Sequence, residues 1–134
     1  MADIRSQKYA QDAYPLVDAM INDDLKKGYR TQALNLPNMI LQSGLCQTVG
    51  FLLAKGKAKQ EDEKSSKEKE NEYSKVLSHL AQLLKYSSKE DFHQKMLSMN
   101  ITEYQLLTRK ALDASGWLKR YTQAMLSDDE GKLS

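Results

Sequence analysis

Two arginines near the end of the chain carry the first chemistry the sequence offers. Arg109 and Arg120 are eleven positions apart, and on a helix that interval returns them to within about 20° of each other, three turns on. Gln105 and Gln123 fall on either side of them. The planar fork of a guanidinium can hold two oxygens at once, so a ridge of this kind suits phosphate. Arg and Gln on an exposed face are also ordinary solvated residues, and the spacing alone leaves both readings open. Lys119, Lys55, Lys57, Arg30, Arg5 and Lys8 are further basic candidates for phosphate or for a neighbouring protein.

Catalytic chemistry finds no comparable set. His79 and His93 fall in separate expected helices, outside any zinc-ligand spacing, and read as surface or half-buried residues. Cys46, the single cysteine, has no intramolecular disulfide partner. It shares a helical flank with Leu53, where a free thiol behaves as a small apolar group, and no activating neighbour accompanies it. The glycines form no phosphate-cradling string, and there is no Gly-x-Ser-x-Gly elbow. Most methionines sit at helix-stripe positions, where core packing accounts for them. The expectation is no catalytic residue, no metal and no cofactor, with function in a presented surface.

Charge and length narrow the partners. The 134 residues include 20 basic and 18 acidic side chains, a formal charge of only +2, whereas autonomous nucleic-acid binders carry a strong basic excess. No stretch approaches the ~20 apolar residues of a membrane span, and Met1 to Arg5 lack a signal-peptide core. A cysteine-poor chain suits a reducing compartment, so the expected location is the cytoplasm.

The elements that position the arginines are all expected to be helical. Two prolines and six glycines are few punctuators for this length, and Ala, Leu, Lys, Gln, Glu and Met favour helix. Tyr9, Ala13, Leu16, Val17 and Met20 recur at three- and four-residue intervals, with Pro15 as a kink or a freed carbonyl. Asn22-Asp23-Asp24 reads as a break before a helix from Leu25. Pro37 then either opens a short helix or bends a continuous one, and Gly44 ends it. Leu45, Val49, Leu52 and Leu53 give the next stripe, to about Gly56. Residues 57–72 are almost wholly polar and read as a charged segment, mobile or solvent-exposed.

Tyr73, Val76, Leu77, Leu80 and Leu84 form the cleanest stripe. Ser87-Ser88 precede a short helix through Met96. Thr102 is expected to cap a long last helix with Tyr104, Leu107, Ala111, Leu118 and Met125 inward. Leu106 and Trp117 project away from that stripe, so either the helix is covered on two sides or Trp117 meets a partner. The expected architecture is all-α: a compact single-domain bundle of five to seven helices over residues 1–126, followed by a polar tail, 127–134.

Two segments are more specific. One runs Tyr29-Arg30-Thr31, then Leu36-Pro37 through Gly44-Leu45-Cys46-Gln47-Thr48 to Phe51-Leu52-Leu53-Ala54-Lys55-Gly56; the other is Trp117-Leu118-Lys119-Arg120-Tyr121. In this order, over about residues 5–125, they resemble the small helical subunit of the type III-B CRISPR ribonucleoprotein, the Cmr effector complex.

The resemblance implies a noncatalytic, RNA-binding subunit in antiviral defence. Several copies would line up beside the backbone subunits as a minor filament along the guide RNA/target RNA duplex, with Arg109, Arg120 and the other basic candidates available to RNA and Trp117 to a partner. Such a subunit need only follow backbone and shape, because base pairing reads the target. A helical adaptor without RNA contact, or a helix-turn-helix regulator, are the alternative expectations.

Overall fold

The three- and four-residue apolar intervals close into six helices in the computed structural model, which describes residues 4–62 and 70–126. In chain order they are α1 (Ile4–Asp18), α2 (Lys26–Ser43), α3 (Leu45–Asp62), α4 (Glu72–Leu83), α5 (Lys89–Leu97) and α6 (Ile101–Met125). The fold is the all-α bundle expected, with the long C-terminal helix in place.

Helix ends follow local chemistry. Asp23 accepts the backbone N–H of Leu25 at 2.8 Å, which turns the chain into α2. Pro37 lies inside α2, so the continuous helix is the form adopted. Gly44 ends it with φ 91°, a backbone conformation that favours glycine, and its N–H returns to the carbonyl of Ile40 at 2.9 Å. Asn71 caps α4 by accepting from Ser74, and its amide also donates to the carbonyls of Lys55 and Gly56 on α3. Ser88 caps α5 through Asp91.

The last helix begins differently from expectation. Asn100, rather than Thr102, is the cap: it accepts from Glu103 N–H at 2.9 Å while the Glu103 carboxylate accepts from Asn100 N–H at 3.1 Å. This reciprocal box satisfies two otherwise orphaned donors; Thr102 with Gln105 fits the same spacing as Asn100 with Glu103, but Asn is the stronger capping residue.

The core runs through every helix. Tyr9, Ala13 and Val17 of α1, Ala33, Leu36 and Ile40 of α2, Leu45, Val49 and Leu52 of α3, Val76, Leu77 and Leu80 of α4, Phe92 of α5 and Ala111, Ala114 and Leu118 of α6 are buried together. Each large side chain among them contributes about 1.5–3 kcal/mol through removal from water. α6 packs chiefly on α2 and α1, whereas α3 packs on α4, α2 and α5. Of the two residues off the α6 stripe, Trp117 is half-buried against the core and Leu106 stays exposed.

The charged segment begins as helix, since α3 continues through Lys57 to Asp62. Residues 63–69 of that segment, and the expected tail 127–134, lie outside the described residues. Among the described residues no helix is long and apolar enough to cross a membrane.

Candidate nucleic-acid interface

One face of α6 is polar from end to end. Gln105, Arg109, Arg120 and Gln123 are all exposed on it, and among the described residues neither arginine has an ion-pair partner. The buried stripe of Leu107, Ala111, Ala114 and Leu118 holds the opposite face inward, which fixes the ridge outward. Gly116 sits between the two arginines along the ridge, and a side chain there would meet nothing within 4 Å. Lys119 is half-buried on the adjoining flank.

Beside the ridge, an aromatic strip joins α6 to α1. The Trp117 indole donates from Nε1 to Ser6 Oγ at 2.9 Å, and Ser6 Oγ donates to Asp113 Oδ1 at 3.1 Å. Arg5 Nε lies 3.7 Å from the other Asp113 oxygen. Trp117 and Tyr121 rings are 5.5 Å apart, and Tyr121 meets Tyr14 of α1 edge-on at 5.5 Å. The Arg120 guanidinium lies 5.6 Å from the indole, over its ring. Polarisable faces beside a cation therefore cover this edge of the bundle. The sequence signals for the strip are the four-residue step from Trp117 to Tyr121 and the departure of Tyr14 from the Tyr9, Ala13, Val17 stripe; only the fold brings Tyr14 and Tyr121 together.

The other basic candidates separate by structural role. Arg30 Nε donates to the carbonyl of Leu126 at 2.8 Å, closing the C-terminal end of α6 with a cation where the helix dipole favours one. Lys8 pairs with Asp12, which also holds Lys85 from the end of α4 at 3.0 Å. The Lys85 ammonium keeps the Asp12 carboxyl below the usual carboxylate range. Lys55 and Lys57 lie on α3, apart from the α6 ridge: Lys55 stands 5.8 Å from the Phe51 ring, and Lys57 edges a groove of about 540 Å³ bounded by Gly50, Leu53, Ser74, Lys89 and His93.

Two expectations about titratable residues need correction. His79 is neither at the surface nor half-buried; it is buried at 8% exposure, with the Tyr29 hydroxyl 2.7 Å from its Nδ1. Burial, assisted by the nearby Lys75 charge, depresses its pKa to about 4, and burial likewise raises that of Tyr29. The pair is a satisfied polar contact within the core. Cys46 is exposed instead of packed, because α3 turns Leu45, Val49 and Leu52 inward and leaves Leu53 only half-buried. Its backbone N–H donates to the Tyr104 hydroxyl at 2.9 Å. Among the described residues no three His, Cys, Asp or Glu side chains gather into a possible metal site.

Comparison with known proteins bears on this geometry. Residues 5–125 match the family model described as CRISPR-associated protein (Cas_Cmr5). A Thermus thermophilus protein named CRISPR system Cmr subunit Cmr5 is 32% identical over 125 residues, covering 92% of this chain and 97% of that one. The crystal structure of a CRISPR-associated Cmr5 family protein from Thermus thermophilus superposes with a TM-score of 0.74 at 31% identity, over 90% of this chain and 96% of the other.

Proposed function

Because the chain belongs to the Cmr5 family of CRISPR-associated proteins, we propose that it is a noncatalytic small subunit of a type III-B Cmr ribonucleoprotein, lying along the guide RNA/target RNA duplex. Its partners in this reading are the guide-holding backbone subunits, further copies of itself, and the RNA within the complex. A cytoplasmic location goes with that assignment. The observation that carries the RNA contact is the pair Arg109 and Arg120, both exposed on one helix face and both without an ion-pair partner among the described residues.

A ridge of two guanidiniums with flanking amides can follow a sugar-phosphate backbone without reading its bases. Two such contacts give weak affinity for free RNA, in keeping with the charge of +2. Repetition of the subunit along an assembled complex supplies the missing affinity through effective concentration. Arg30 is the weakest RNA candidate among the basic residues, since its guanidinium already closes α6. Arg5 reaches across to Asp113 of α6, and Lys8 pairs with Asp12 one turn on within α1.

The double substitution Arg109→Ala, Arg120→Ala tests the reading. Both side chains are exposed, so the helical circular dichroism signal should stay intact while retention of target RNA by the assembled complex falls several-fold. Undiminished retention would remove the ridge from the RNA contact and leave a protein-only adaptor.

A further inference from the structure

The aromatic strip between α1 and α6 has no role in a purely phosphate-following subunit, yet it is built rather than incidental. Trp117 is held in orientation by the relay through Ser6 to Asp113, at 2.9 and 3.1 Å. Tyr121 packs on Trp117, Tyr14 stands against Tyr121 with an interplanar angle of 85°, and 51% of Tyr14 remains open to solvent. Arg120 spans the two features: it belongs to the exposed ridge and lies over the indole 5.6 Å away. A guanidinium stacked on a ring keeps its N–H fork available at the edge, so Arg120 is pre-oriented for an anionic oxygen beside the aromatic surface.

We infer that this strip is a base-stacking platform, with Tyr14 as the outermost ring receiving an unstacked RNA base whose phosphate is held by Arg120. The inference rests on the RNA-following reading and deepens it. Charge favours nucleic acid over an acidic or neutral protein surface. Across the two helices that build the strip, Arg5, Lys8, Arg109, Lys110, Lys119 and Arg120 outnumber the acids Asp12, Asp18, Glu103 and Asp113, and Asp113 lies within 3.7 Å of Arg5. Every base presents a π face, so stacking here adds affinity without imposing sequence preference, as a subunit repeated along arbitrary targets requires. The cation beside the strip and the open tyrosine together match the pairing of electrostatic track and aromatic faces used for single-stranded nucleotides.

The test uses the assembled ribonucleoprotein with target RNA carrying 5-iodouridine in place of uridine, which on irradiation joins preferentially to an aromatic ring stacked against it. Mapping by mass spectrometry is expected to place an adduct on Tyr14, with Tyr121 or Trp117 as secondary sites. Tyr14→Ala should remove that adduct and weaken target retention between about 5-fold and 150-fold, while Tyr14→Phe, which keeps the ring, should restore retention. Tyr14 is exposed, so neither change threatens the fold. Adducts elsewhere on this chain, with retention unchanged in Tyr14→Ala, would overturn the platform and leave the phosphate ridge standing. Adducts confined to other subunits, with no effect of Arg109→Ala and Arg120→Ala, would overturn the platform and the RNA reading together.

Discussion

His79 is buried with the Tyr29 hydroxyl 2.7 Å from its Nδ1, so protonation of the imidazole bears directly on stability. The folded chain holds its pKa at about 4, against an ordinary 6.5, chiefly through burial. Between those values the unfolded chain binds the proton and the folded one resists it, so folding is progressively opposed as pH falls. The full stability is present above about pH 6.5 and is lost toward pH 4, by up to ~3 kcal/mol. Urea midpoints measured across that window should fall with pH in the wild type and flatten in His79→Gln, which cannot titrate. An equally steep profile in the variant would assign the acid sensitivity to other groups. Sequence places His79 beside Val76, Leu77 and Leu80 without revealing its burial, because the closing wall comes from Tyr29, fifty positions away.

At the scale of the element, α6 shows what is legible in a sequence and what is not. Its inward stripe and the alignment of Arg109 with Arg120 follow from periodicity alone, since both depend on one helix's own geometry. The shared surface of Tyr14 with Tyr121, and the anchoring of Trp117 by Ser6, depend on α1 docking alongside, which no local spacing encodes. Cys46 illustrates the same limit: a seven-residue match to Leu53 locates a flank, but how much of that flank is covered depends on neighbouring helices. Pro37 is ambiguous in sequence because a proline can open a helix or sit within one, and the packing of Leu36 and Ile40 into the core carries α2 past it.

Gly116 supplies a prediction at this same scale. A glycine in a helix interior lowers stability by roughly 0.5–1 kcal/mol relative to alanine, and here no neighbour within 4 Å explains it. Gly116→Ala should therefore raise the thermal midpoint of the isolated protein by an amount corresponding to that gain. A lower midpoint would mean that the backbone at this point needs glycine for its own fold. Where the midpoint rises and target retention falls, close approach to the bare helix between the two arginines accounts for the residue.

For the whole molecule, near-balanced charge and a small exposed ridge fit a repeated subunit better than an independent binder. Twenty bases against eighteen acids give no long-range pull toward RNA, so whatever affinity exists must come from a few placed contacts multiplied by assembly. The fold distributes its basic residues accordingly: Arg30 closes α6, Lys8 and Lys85 share Asp12, and Arg109 and Arg120, without an ion-pair partner among the described residues, stand together on one outward face. Salt dependence separates these contributions, because each neutralised phosphate adds about 0.7–0.9 to the slope of log affinity against log salt. Replacing Arg109 and Arg120 together by alanine should reduce that slope by roughly 1.4–1.8 for each copy engaged per binding unit. Tyr14→Ala should weaken retention without altering the slope, since stacking releases no counterions. A slope unchanged in the arginine double variant would show that those guanidiniums do not neutralise phosphate, however strongly the substitution affected assembly.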